Sequence, residues 1–119
     1  MPFKRILQEF VENTPGAIGA ILADWEGEAV EQFCRYDDFE LKIIGAHKGI
    51  ILNLIKDLHK AAAAGNPQEA LISTESLHVI IGPVGQDYSL VMTLDRDAIV
   101  GRALYGFKEA VQSLYKEIY

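Results

Sequence analysis

Carboxylates crowd the stretch from Asp24 to Glu31, where Asp24, Glu26, Glu28 and Glu31 lie close in sequence. Such a set has the chemistry to bind a divalent cation or to divide acid and base work between two groups. Their setting points elsewhere: Asp24-Trp25-Glu26-Gly27 reads as a hairpin tip, and acidic side chains on a tip and its edge strand are ordinarily solvated. Trp25 at that tip reads either as a cap over the sheet edge or as an exposed anchor for a partner. The three histidines, His47, His59 and His78, do not assemble a metal site. His47 and His59 fall about 120° apart on one helix, and His78 has no carboxylate or cysteine at ligand spacing. Cys34 is the single cysteine; with no histidine close to it in sequence, it reads as a small packing residue. Ser73 and Ser76 lack the GxSxG context of a nucleophile elbow. There is no GxxxxGK[ST] loop to hold a nucleotide, and Gly16-Ala17-Ile18-Gly19 and Gly82-Pro83-Val84-Gly85 read as turn and strand glycines. No catalytic residue, metal or cofactor is therefore expected.

With no chemistry to position, the elements themselves carry the reading. The chain has 119 residues, half of them hydrophobic and 24% charged, the balance of one soluble globular domain. Eleven basic against seventeen acidic residues give a net charge of −6. That charge opposes general affinity for phosphate backbones, so nucleic acid and membrane surfaces are not expected partners. The apolar runs stop short of a membrane span, Met1-Pro2-Phe3-Lys4-Arg5 opens without a signal-peptide pattern, and a lone cysteine suits a reducing compartment. The expected location is cytoplasmic.

Phe3, Ile6, Leu7, Phe10 and Val11 form one stripe of a short helix that Thr14-Pro15-Gly16 ends. A strand from Ala17 to Asp24 and a second from about Glu28 to Arg35 make a hairpin whose polar second strand suits a sheet edge. A helical pattern then runs from about Asp37 to Ala64, roughly seven turns and about 40 Å, closed by Gly65-Asn66-Pro67. Three strand segments follow, Ala70 to Ser73, Leu77 to Val84 and Tyr88 to Leu94. Asp95 or Asp97 is placed to cap a last helix carrying Val100, Leu104, Phe107, Val111, Leu114 and Ile118.

The order α-β-β-α-β-β-β-α predicts an α+β fold. Its five-stranded antiparallel sheet has one long helix on one face and two terminal helices on the other. Helices on both faces require central strands that are apolar on both sides. Ala17 to Ala23 fits, with Ala17/Gly19/Ile21/Ala23 alternating against Ile18/Ala20/Leu22, and so does Leu90/Met92/Leu94 against Val91.

The long helix has more apolar surface than one sheet covers. Leu41, Ile44, Ile51, Leu52, Ile55, Leu58 and Ala62 make one band, which Ile43, Ile50, Leu54 and Ala61 widen to an arc of roughly 200°, about twice what one packing surface needs. Either terminal segments fold over the flank, or a second subunit meets it. The strand Ala70 to Ser73 is the shortest and follows the helix directly, a natural edge, and Leu71-Ile72-Ser73-Thr74 carries neither lysine nor proline to deter pairing. Flank and edge together fit an isologous homodimer. Gly45 and Gly49, spaced as GxxxG, would let another backbone approach, though packing on the sheet explains them as well.

These segments, "PFKRILQEF", "GAIGAILADWEGEAV", "IGAHKGIILNLIKDL", "ALISTESLHVIIGPVG" and "DYSLVMTLD", together resemble the Roadblock/dynein-light-chain superfamily over nearly the whole chain. The resemblance implies one Roadblock-like domain over residues 1–119, dimerising through the long helix and the strand after it. Ile43, His47, Ile50 and Leu54 match the dimer-facing part of the helix, and Leu71, Ile72, Ser73 and Thr74 match the dimer strand. Members act as light chains and scaffolds, and several bind or regulate small Ras-like GTPases; a bacterial polarity regulator activates its GTPase. The expected function is a non-enzymatic homodimeric module that binds and regulates, or activates, such a GTPase. Lys42, Asn53, Lys56 and Lys60 are the candidate GTPase-facing residues, the alternative being an ordinary solvated face. Two other readings stand beside it: a small-molecule sensor with a ligand between sheet and helix, and a nucleotide-independent structural or motor light chain.

Overall fold

The computed structural model describes residues 2–24, 26, 28–35 and 69–119. Its elements are α1 (Pro2–Asn13), β1 (Ala17–Asp24), β2 (Ala29–Cys34), β3 (Ala70–Ser73), β4 (Leu77–Val84), β5 (Tyr88–Asp95) and α2 (Val100–Ile118). The segment expected to form the long helix lies outside the described residues, as do Trp25 and Gly27.

The strands form one five-stranded sheet in the order β2-β1-β5-β4-β3, with antiparallel neighbours throughout. Short turns explain three of these pairings. The fourth, β1 against β5, is non-local and sets the centre of the sheet, where strands must be apolar on both sides. The sequence places β1 and β5 there, and both are interior. β2 and β3 are the edges, also as expected.

Both helices pack on the same face. Leu7, Phe10 and Val11 of α1 and Ala103, Phe107, Ala110 and Leu114 of α2 form one buried cluster with Ala20 and Leu22 of β1, Ile80 and Val84 of β4, and Leu90, Met92 and Leu94 of β5. Phe10 meets Phe107 edge-on, with ring centroids 6.1 Å apart. Gly106 lets the helices close up: a Cβ there would stand 3.3 Å from Thr14 Oγ1 and 3.4 Å from the Phe10 ring. The opposite face carries a second buried cluster, Ala23, Leu77, Val79, Ile81 and Val91, with Ile21, Ala70 and Ile72 half-buried around it. No helix among the described residues lies on that face.

Two expectations need correction. Neither Asp95 nor Asp97 caps α2; Ile99 holds the N-cap position with no side-chain hydrogen bond. Asp95 is still in β5, opposite Leu77, and its carbonyl accepts the Ala98 N–H at 3.0 Å, so a tight turn intervenes before the helix starts. Ala17 belongs to the helix-covered face rather than with Gly19, Ile21 and Ala23. The β1–β5 register slips between Ala17 and Gly19, and that bulge turns Ala17 over. Gly16, just before it, has φ of +85°, and a Cβ there would sit 2.5 Å from Ala98 Cβ. Only glycine fits a turn that is both left-handed and pressed against the β5–α2 connection.

Candidate interaction surface

A sheet edge offers a row of backbone donors and acceptors to any strand that can reach it, so the two edges decide where this molecule is open. They are unlike. β2 carries a bulge, because its register with β1 shifts between Leu22 and Ala23. Glu28 and Glu31 flank that bulge. Its far end is also tied down: Arg35 N–H donates to Ile18 O at 2.8 Å, and the Arg35 guanidinium donates to Val11 O at the end of α1, also at 2.8 Å. A bulged, acidic and anchored edge is guarded against pairing.

β3 has no bulge and no charged side chain within the strand, although Glu69 just before it pairs with Lys108 of α2 at 3.6 Å. It pairs with β4 in unbroken register, Ala70 opposite Ile81 through Ser73 opposite His78. Its four residues span about 14 Å at the usual rise of a strand, and they present Leu71 at 44% exposure, Ser73 exposed and Ile72 half-buried. Leu71 shares the helix-covered face with Ile80, and Ile72 shares the opposite face with Val79. The apolar side chains of the edge therefore flank the backbone on both faces. Thr74 ends the strand inside a turn, its Oγ1 accepting the Ser76 and Leu77 N–H groups at 3.3 and 3.1 Å. Of the residues expected at a dimer interface, Leu71, Ile72, Ser73 and Thr74 thus lie on this open edge and its turn. Ile43, His47, Ile50 and Leu54 lie outside the described residues, as do Lys42, Asn53, Lys56 and Lys60.

Behind the edge stands a polar group that the sequence does not announce. His78 is 6% exposed, with Nδ1 2.6 Å from Ser73 Oγ. Its Nε2 lies 2.8 Å from Arg96 Nη1 and 3.0 Å from the Arg96 carbonyl. Arg96 is distant in sequence, and only the β4–β5 register, with His78 opposite Leu94, brings it alongside. No spacing rule would have found it.

The remaining candidates are structural. Asp24 Oδ1 accepts the N–H groups of Glu26 and Glu28, both at 3.0 Å, so this carboxylate is spent on closing its own turn. Cys34 is half-buried opposite Gly19. A groove of ≈ 350 Å³ runs between α1 and α2, lined by Ile6, Phe10, Asn13, Arg102 and Tyr105 among others. It lies on the outside of the helical layer, whereas a sensor of the expected kind holds its ligand between helix and sheet. No helix among the described residues is long and apolar enough to cross a membrane.

The chain is similar to known proteins both in sequence and in fold. The family model described as Roadblock/LC7 domain matches residues 4–94. Among solved structures, MglC from Myxococcus xanthus is 26% identical, with a TM-score of 0.73 over 98% of this chain and 99% of that one. The gliding protein MglB from Thermus thermophilus is 18% identical, with a TM-score of 0.74 over 96% and 86%. An MglB solved in a tetrameric arrangement is 18% identical, with a TM-score of 0.75 over 97% and 86%. No curated protein sequence matches the chain.

Proposed function

Because the chain belongs to the Roadblock/LC7 domain family, we propose that it is a non-enzymatic homodimeric interaction module that binds and regulates a small Ras-like GTPase in the cytoplasm. Family membership across most of the chain carries this reading. The β3 edge supplies a surface for self-association, since it is the edge with neither a bulge nor a charged side chain within the strand. In this proposal the residues from about Asp37 to Ala64 form the long helix. They cover the sheet face that carries Val79, Ile81 and Val91, all closed to solvent although α1 and α2 pack on the other face. The second copy meets Ile43, His47, Ile50 and Leu54 on the helix flank together with Leu71, Ile72, Ser73 and Thr74. Lys42, Asn53, Lys56 and Lys60 then face the GTPase. Any effect on hydrolysis arises by remodelling the partner, because the chain has no nucleotide-binding loop of its own.

The test has two stages. Native molar mass by light scattering over a dilution series should give a dimer for the wild type and a monomer for Ile50→Glu. Purified Ras-like GTPases from the same genome, loaded with GTP or GDP, are then titrated with the dimer. A regulator distinguishes the two nucleotide states and alters single-turnover hydrolysis. Equal binding to both states with unchanged hydrolysis would leave a scaffold, and no complex with any of them would refute the GTPase reading.

A further inference from the structure

The buried His78 beside an exposed edge residue has a consequence for what that edge recognises. Ser73 Oγ and His78 Nδ1 are 2.6 Å apart, so one of them donates to the other. Which one donates depends on the other ring nitrogen. Nε2 has two claimants, the Arg96 guanidinium at 2.8 Å and the Arg96 carbonyl at 3.0 Å. They make opposite demands: the guanidinium has only protons to give, and the carbonyl has only lone pairs. A guanidinium N–H held against an imidazole N–H would set a cation against a donor at hydrogen-bond distance. Arg96 is an exposed residue, and its guanidinium makes the shorter of the two contacts, 2.8 Å against 3.0 Å. The charge-assisted bond is the stronger one and decides the tautomer.

We propose that Arg96 holds His78 as its Nδ1–H tautomer, so that His78 donates to Ser73 and Ser73 presents its own hydroxyl proton outward. Ser73 thereby becomes a fixed donor on the β3 edge, matched to an acceptor on the β3 strand of a second copy. The charged groups on the neighbouring segments are Arg96 with Asp95 and Asp97 before α2, and Glu75 in the β3–β4 turn; of these, Arg96 makes the hydrogen-bond contact with His78. Cross-strand hydroxyl hydrogen bonds are a recurrent source of sheet specificity. The recognition half of this inference rests on the β3 edge being the self-association edge. The tautomer half does not.

Long-range ¹H–¹⁵N correlation spectra of the ¹⁵N-labelled protein report the His78 tautomer directly. The wild type should show Nδ1–H with Nε2 as acceptor, and Arg96→Met should convert it to Nε2–H, which the Arg96 carbonyl then accepts. An Nε2–H tautomer in the wild type, or no change in Arg96→Met, overturns the assignment whatever the oligomeric state. The dimer dissociation constant, measured in parallel, should rise roughly tenfold in Ser73→Ala. Two symmetry-related hydrogen bonds are lost, each worth a factor of about 2 to 10. Arg96→Met should weaken the dimer by a similar factor with Ser73 still present. If Ser73→Ala leaves the constant unchanged while Leu71→Lys raises it, the recognition half fails and the edge stands. A wild type that is monomeric at every concentration refutes both the recognition half and the edge.

Discussion

Leu71 and Val30 sit on opposite edges of the same sheet with nearly equal exposure, 44% and 39%, and this pairing makes a controlled experiment. Replace each with lysine. Burying a leucine side chain completely is worth about 1.5–3 kcal/mol, so the exposed part of Leu71 can add about 0.7–1.3 kcal/mol when a partner covers it. A two-fold interface counts that amount twice. Lysine forfeits the gain and brings two like charges toward the axis, for a total near 2–4 kcal/mol, or about a 30- to 1,000-fold rise in the dimer dissociation constant. Val30→Lys should change it less than twofold, because the bulge, the neighbouring glutamates and the Arg35 anchor keep the outer side of β2 from pairing with another strand. Sedimentation equilibrium over a dilution series measures both constants, and urea denaturation of each variant checks that the monomer fold is intact. Both positions are solvent-facing, so each variant should lie within about 0.5 kcal/mol of the wild type in monomer stability. Equal weakening by the two substitutions would show that added charge, and not the β3 edge, disrupts association. Weakening by Val30→Lys alone would assign the interface to the wrong edge.

Three further substitutions test the packing that presents this edge. Phe107→Ala should cost about 3–5 kcal/mol, because a fully buried ring shared by α1, α2 and the sheet leaves a cavity; the urea midpoint measures it, and a loss below 1 kcal/mol would mean that the helices close over the gap. Gly16→Ala should destabilise by about 2 kcal/mol or more, from a left-handed backbone and the approach of Ala98 Cβ, again read from the denaturation midpoint. Asp24→Ala removes an acceptor for two tip N–H groups and should cost about 1 kcal/mol, with faster amide exchange at Glu26 and Glu28 as the local signature.

How far the sequence reveals this molecule follows from the range over which each determinant acts. Helix stripes and strand alternation are local, and they locate α1, β1, β3, β4 and β5 within a residue or so. The placement of β1 and β5 in the interior is legible for a related reason: Ile18/Ala20/Leu22 and Ile21/Ala23 leave no polar face to give to water. Register is different, because one slipped residue inverts a side chain. The bulge between Ala17 and Gly19 is set by β5, far away in sequence, and alternation within β1 alone puts Ala17 on the wrong face. The core of α2 shows another limit. Its most buried positions include Ala103 and Ala110, whose small side chains hardly mark a stripe, while Leu104 and Val111 stand half-buried beside them. Close approach of α1 at Gly106 explains the choice; it is a property of the pair of helices and not of either sequence.

The same division applies to the interaction surface. That β3 is bare can be read from the types of its residues, since no lysine or proline interrupts Leu71-Ile72-Ser73-Thr74. That β2 is guarded can be read only in part: Glu28 and Glu31 are visible in the sequence, whereas the bulge and the reach of Arg35 to the end of α1 require the folded chain. His78 is the extreme case. Its role depends on Ser73 from one neighbouring strand and Arg96 from beyond the other, three positions that antiparallel register alone brings together. An edge strand read in isolation offers backbone groups and little discrimination. Read with what stands behind it, the β3 edge offers a donor of defined direction, and that is how four residues of ordinary composition can prefer one partner strand over another.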